Sequence, residues 1–373
     1  MNAADLGQAL LAAVRAQRFE LTADSMLGGA ALAQFPSIDL AVCAFPAGAR
    51  PVYANVLFSR EHPQGIVADI AADAGPVRDI AFLADQQDAE GNSIAWLPGS
   101  DWRQMSWLPL TGSGARRFVA PYPASLLKLM VLVGVARLVD AGRSAWSQPL
   151  SYLSPTRPVG DWAFDMMTIS CNTATSALVA HLHAEAALAS GHNELHDLFE
   201  SLGLPGLRFA NTAPDGGWGN AAGAGVGQLQ MTAWDSLRLL WLLDDAAPPA
   251  PWLPADRPPL LAASHAHVMH CLREQRLHEI LSSSAIADIP GWVAGIPTGP
   301  DGDVLFAHKT GNTDNYSANA GIVRGIAPAN RHYLIALTSN LGRRYAPPGL
   351  RAPWSLPALG AAVDGVMRDL VGD

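Results

Sequence analysis

The stretch "PYPASLLKLM", residues 121–130, holds one of only two lysines in a chain of 373 residues, and the other stands in "AHKTGN" at 307–312. For nearly every other cation the chain takes arginine. A guanidinium stays protonated, whereas a lysine amine can release its proton when it is desolvated or set beside a second cation. The two lysines therefore mark positions where arginine would fail and a base is wanted. The prolines of "PYPAS" precede a predicted helix of about 17 residues that stops near "DAGR", with Gly142 at its end. On that helix Ser125 and Lys128 are three residues apart, so their side chains leave one face about one turn apart and can touch. Ser125 also falls in the first turn, where free backbone N–H groups and the helix dipole favour developing negative charge. A serine hydroxyl is a poor nucleophile until a neighbour takes its proton, and a neutral Lys128 is able to take it.

For Lys128 to be neutral near pH 7, its pKa must fall far below the ordinary value of about 10.4, through burial or a nearby positive charge. Lys309 is the second cation available. It ends a predicted strand in "HKTG", where Thr310 offers a hydroxyl and Gly311 allows a substrate backbone close to the strand edge. Between the lysines, "TISCNTA" supplies Ser170, a hydroxyl able to relay a proton, and Asn172, an amide able to bind a substrate carbonyl or to hold Lys128. Singly, S-x-x-K and S-x-N arise by chance and K-T-G is often a turn. In this order, with the first on a helix and the last on a strand, and using both lysines of the chain, the trio is a strong joint signal.

The trio resembles that of the serine β-lactamases and penicillin-binding proteins, which carry S-x-x-K, S-D-N and K-T-G. Order and strand contexts look most like class A, and the resemblance covers roughly residues 75–373. It implies an α+β, β-lactamase/transpeptidase-like fold, an antiparallel sheet flanked by helices with an inserted all-helical lobe and a cleft between them. By resemblance Ser125 is the acylated nucleophile, Lys128 its general base and Ser170 the proton shuttle to the leaving nitrogen. Asn172 contacts the substrate amide, Lys309 and Thr310 bind its carboxylate, and the backbone N–H groups of Ser125 and Asn312 form the oxyanion hole. No cofactor is implied. The implied reaction is hydrolysis of a β-lactam or similar amide through an acyl-enzyme; a peptidase, amidase or esterase, and a protein that stays acylated, are the alternatives. Cys171 stands where class A carries aspartate, and the motif spacings imply a remodelled helical lobe. Class A deacylates with a glutamate that has an asparagine four residues on, and no E-x-x-x-N lies between Asn172 and Lys309. Asp215 and Asn220, in the Gly-rich stretch 211–235, are the nearest substitutes for positioning water, against the plainer reading of Asp215 as a turn residue.

Around the trio, "SIDLAVCAF" (37–45) and "PVYANVLFS" (51–59) read as a hairpin, with further strands at "VRDIAFLA" (77–84) and "NSIAWLP" (92–98). From about 145 to 295 the pattern is helices broken by Gly/Pro loops. Strands return at 303–310, 316–323 and 331–339 before an amphipathic helix at 356–371. The expected division is a 1–75 extension of unknown role, a sheet lobe from 76–144 and 295–373, and a helical lobe at 145–294.

With 49% hydrophobic and 15% charged residues the chain can bury a large core, and its formal net charge of −9 argues against nucleic acid or an anionic membrane as partner. A small amide, ester or peptide substrate is expected instead. Cys43, Cys171 and Cys271 are odd in number and far apart, so neither a disulfide framework nor a thiolate zinc site is suggested. His267 and Cys271 have the i, i+4 spacing of zinc ligands, yet no H-E-x-x-H or placed third ligand accompanies them, and no metal is expected. The first twenty residues read as an amphipathic helix rather than a secretory signal, which points to the cytoplasm, or to the periplasm if a leader was removed. The run "LMVLVGVARLV" (129–139) is too short to span a bilayer and reads as a buried helix. Trp96, Trp107 and Trp218 are candidates to line an apolar pocket.

Overall fold

A computed structural model of the chain describes residues 2–84, 100–105, 107–111, 114–120, 122–189, 191–219, 229–254, 258–282, 294–298 and 302–371. Helix α1 (Ala3–Ala16) opens with a capping box, in which Asn2 Oδ1 accepts from the Asp5 N–H and Asp5 Oδ2 from the Asn2 N–H. Its Leu6, Leu10 and Val14 recur every fourth residue and are buried. Strands β1 (Ile38–Ala44) and β2 (Val52–Phe58) pair as the expected hairpin, with Gly48 supplying the left-handed backbone of the turn, and β3 (Ile66–Val67) extends it. Strands β4 (Ile80–Ala84), β5 (Leu108–Thr111) and β6 (Arg116–Ala120) form a separate sheet in the order β6-β4-β5. The strand expected at 92–98 lies outside the described residues.

A 3₁₀ turn (Ala124–Leu127) then leads into α2 (Lys128–Asp140). The helices α3 (Val159–Thr168), α4 (Asn172–Ala184), α5 (Glu194–Ser201), α6 (Ala233–Leu243) and α7 (Ala262–Arg273) follow, with short two-stranded ladders between them. The chain closes with β7 (Val304–Asn312), β8 (Ser317–Gly325), β9 (His332–Ser339) and α8 (Ser355–Val371). Helix α2 is apolar all round and buried from Lys128 to Ala136, which accounts for the run that the sequence assigns to a buried helix. Among the described residues no helix is long and apolar enough to cross a membrane.

The main sheet has the order β7-β8-β9-β1-β2-β3, with every neighbouring pair antiparallel. Strand β1 is buried along its whole length because both faces of the sheet are covered. Its Leu40, Val42 and Ala44 join α1 and α8 in one core, while Ala41 and Cys43 point into a second core built with α2–α7. An α+β architecture is therefore present, but the expected boundary near residue 75 does not separate an extension. The hairpin at 37–59 lies in the middle of the sheet, paired through β1 to β9 with Cys43 opposite Leu334. Pairing between residues some 290 positions apart leaves no local mark in either strand. Nor do the helices keep to the expected lobes: α2 belongs to the core shared by α3–α7, and α6 packs on β1, β8 and β9.

Helix α8 is fastened to the sheet by a buried charge cluster. Asp364, 1% exposed, accepts from Arg331 Nε (2.9 Å), from the Tyr333 hydroxyl (2.9 Å) and from Arg368 Nε (3.1 Å), and Arg331 is fully buried. Removing one partner of such a pair strands the other charge out of water, so Asp364→Ala is expected to lower stability by about 3–5 kcal/mol. The check is a denaturant titration in which the midpoint falls at unchanged slope.

Candidate active site

The backbone that carries Ser125 is strained at its entry, where Ala124 takes a left-handed φ of 48°. The sequence predicts an α-helical first turn here; the structure has a 3₁₀ turn, with α2 beginning only at Lys128. In a 3₁₀ turn residues i and i+3 eclipse, so Ser125 and Lys128 still share a face. Ser125 is half-buried and Lys128 is 1% exposed. Edge strand β7 runs against this turn. A Cβ on Gly311 would collide with Pro123 O and fall 2.8 Å from Leu126 N and 3.0 Å from Ser125 N. The backbone that needs this glycine is thus the serine turn, not the substrate expected from the sequence.

Ser170 occupies the bend between α3 and α4 and also has a left-handed backbone, with φ 56°. Cys171 follows as the N-cap of α4, its Sγ accepting from the Ala174 N–H at 3.5 Å. It does there what the aspartate of S-D-N is chemically suited to do at a helix start. Asn172 is the first residue of α4 and turns its amide oxygen to Lys128.

The two lysines meet at one hydroxyl. Lys128 Nζ lies 3.0 Å and Lys309 Nζ 3.1 Å from Ser170 Oγ. Lys128 also donates to Ser170 O (2.7 Å) and Asn172 Oδ1 (2.8 Å), and Lys309 to Thr310 O (2.8 Å). A neutral amine has two N–H groups and one lone pair. The two carbonyl oxygens consume both N–H groups of Lys128 and leave its lone pair for a hydroxyl proton. Burial pushes the Lys128 amine down to about 7. Burial and the neighbouring Lys128 charge hold Lys309 well below the usual lysine range, against a favourable interaction with Glu279. Thr310 is buried on β7 opposite Asn319, whose Nδ2 donates to Lys309 O (3.0 Å) and fixes the backbone of the second lysine. Asn312 donates to Ser317 Oγ (3.1 Å) and Arg351 O (2.5 Å).

Ser125, Lys128, Ser170, Asn172, Lys309, Thr310, Gly311 and Asn312 thus lie on three adjoining segments, and Asp215 does not join them. It is an exposed turn residue whose Oδ1 accepts from the Gly217 N–H at 3.0 Å and whose carbonyl accepts from the Tyr152 hydroxyl at 2.8 Å. Its loop does border the site: Gly216 is pressed against Ser176 O of α4, and half-buried Trp218, like Tyr122, packs on the core that includes α2. A short carboxylate satisfied by the second N–H ahead of it forms an Asx turn, and that local bond is why it faces solvent. Asn220 and Trp96 lie outside the described residues. Trp107 packs on Trp102 beside Arg117, away from the lysines. His267 stacks on Trp146 at 3.9 Å and the buried Cys271 thiol is pushed up to about 12; among the described residues no three His, Cys, Asp or Glu side chains are grouped to hold a metal.

Sequence reasoning missed Asn319, Glu279 and Arg351. Asn319 left one trace, a polar residue inside the apolar strand "YSANAGIV". Glu279 and Arg351 come from loops with no pattern to read.

The profile of the β-lactamase enzyme family matches residues 119–348. No curated protein is a sequence match. Among solved structures, a mutant of PBP-A captured as its acyl-enzyme with penicillin G aligns at 16% identity over 99% of this chain and 98% of its own, with a TM-score of 0.55. A β-lactamase from Sphaerobacter thermophilus aligns at 13% identity over 97% of both chains, with a TM-score of 0.50. A variant of the reconstructed class A β-lactamase of the last common ancestor of Gram-negative bacteria aligns at 14% identity over 96% and 98%, with a TM-score of 0.52. At these identities the likeness is one of fold.

With two lysines in the chain, isotope-labelled lysine reports on this site alone by NMR. One signal is expected to titrate near pH 7, that of Lys128. Substituting Cys171→Asp sets a negative charge beside the amine, favours its protonated form and is expected to raise that midpoint by about one unit. A Lys128 midpoint near the ordinary lysine value, unmoved by the substitution, would contradict the geometry.

Proposed function

Because the chain belongs to the β-lactamase enzyme family, and is therefore a serine hydrolase of the β-lactamase type, we propose that Ser125 is the residue acylated, by a β-lactam or a similarly reactive amide. The observation that carries this reading is the convergence of both lysines on Ser170 Oγ beside the serine turn. The lone pair of neutral Lys128 takes the Ser125 Oγ proton as Oγ bonds to the substrate carbonyl carbon. The backbone N–H groups of Ser125 and Asn312 receive the oxygen that becomes negative. As the C–N bond breaks, the proton passes from Lys128 through Ser170 Oγ, which Lys309 holds in place, to the leaving nitrogen. Water then attacks the ester, releasing the acid and restoring Ser125. Asn172 divides its amide between Lys128, through Oδ1, and the substrate, through Nδ2. The acidic net charge supports a small-molecule partner over nucleic acid, and a cytoplasmic location is part of this reading.

A second reading concerns the last step. Asp215 holds the Gly217 N–H and faces solvent, which favours a protein that acylates readily and deacylates slowly. A peptidase, amidase or esterase would use the same machinery on a different acyl donor.

PBP-A shares this fold and is captured with penicillin G, so penicillin G is the first acyl donor to try. Intact-protein mass spectrometry over time is expected to show an adduct in the wild type and none in Ser125→Ala. An adduct that clears while product accumulates marks a hydrolase, and one that persists marks the second reading. Asp215→Asn is expected to leave the adduct lifetime within about twofold, as for a surface turn residue. A large extension of that lifetime would return Asp215 to the water-positioning role.

A further inference from the structure

The loop at 275–282 ties together the two segments that hold the lysine–serine relay. At its start Gln275 Nε2 donates to Met167 O (2.8 Å) and the Arg276 N–H to Thr168 O (3.0 Å), two residues before Ser170. At its end the Leu281 N–H donates to Asn319 Oδ1 (3.2 Å), the same side chain whose Nδ2 donates to Lys309 O. Ile280 and Leu281 are fully buried. Glu279 is therefore carried on a segment pinned at both ends, with its backbone position set by the site itself.

Its side chain is only 20% exposed and lies with Oε1 3.4 Å from Arg351 Nε. The carbonyl of Arg351 in turn accepts from Asn312, the residue after K-T-G. Burial raises the Glu279 pKa, while Arg351 and Lys309 favour the ionised form. Glu279 thus pairs with Arg351 beside the end of β7, where Asn312 holds the Arg351 carbonyl. Lys309 is 0% exposed and Thr310 3%, so the Lys309 amine is not offered to solvent.

The geometry points to Glu279 as a specificity residue: it takes the electrostatic place that a substrate carboxylate would fill, and directs the site to acyl donors that carry an ester, an amide or a cation there. This inference rests on the reading of Ser125 as the acylated residue. A carboxylate brought to this end of the site faces the Glu279 carboxylate, and like charges so placed repel. A neutral or cationic group meets no such opposition.

The test compares benzylpenicillin with its methyl ester, which differ only at that carboxylate, as acylation rates of Ser125 by intact mass. In the wild type the ester is expected to acylate at least about tenfold faster. Glu279→Gln keeps the side-chain shape and is expected to speed the carboxylate about tenfold while leaving the ester within about twofold. The wild type alone gives a second readout, since added salt should speed the carboxylate by screening Glu279 and leave the ester unchanged. A carboxylate that outpaces its ester, or a Glu279→Gln effect equal on both, would overturn the assignment while leaving Ser125 in its role. If neither compound labels Ser125, the parent reading falls and takes this one with it.

Discussion

Two amines held 3.0 and 3.1 Å from a single hydroxyl, out of water, cannot both keep a full charge cheaply, and the site is organised around that constraint. Burial lowers the hold of both amines on their protons, and the charge of Lys128 lowers that of Lys309 further. The carbonyl of Ser170 and the amide oxygen of Asn172 then decide which way the Lys128 lone pair points. Arginine in either position would stay charged, which is the physical reason a chain so given to arginine keeps lysine here.

Bringing the two amines together is the work of the sheet. Strand β7 lies at the edge of the main sheet, and Gly311 lets it approach the serine turn until backbone meets backbone. Asn319, one strand inward, holds the Lys309 carbonyl with one half of its amide and the 275–282 loop with the other. The hairpin at 38–58 stands behind these strands as the middle of the sheet and so supports the site from within it. The site also holds strained backbone, since Ala124 and Ser170 both take left-handed conformations that side chains with a Cβ ordinarily avoid.

Cys171 and Asp215 illustrate how position outweighs residue type. Cys171 departs from the family's aspartate yet caps α4 through its sulfur, because what that position needs is an acceptor for a free helix N–H. Asp215 has the right chemistry for activating water, but a backbone N–H two residues away claims its carboxylate first. Glu279 shows the converse, a carboxylate with no motif around it that the tertiary structure sets against Arg351.

The sequence by itself determined the local elements and the chemical trio. The strands near 303–310, 316–323 and 331–339, the buried helix after Ser125 and the hairpin at 37–59 all follow from apolar periodicity and turn residues, which act over a few positions. The rarity of lysine singled out both bases. Only the tertiary structure decided that the hairpin is central, that Gly311 serves the serine turn, that Asp215 faces away and that Glu279 pairs with Arg351. Each of these depends on contacts between segments far apart in the chain, and such contacts are set by which buried surfaces and hydrogen bonds can be satisfied together, a condition that no single stretch of residues records.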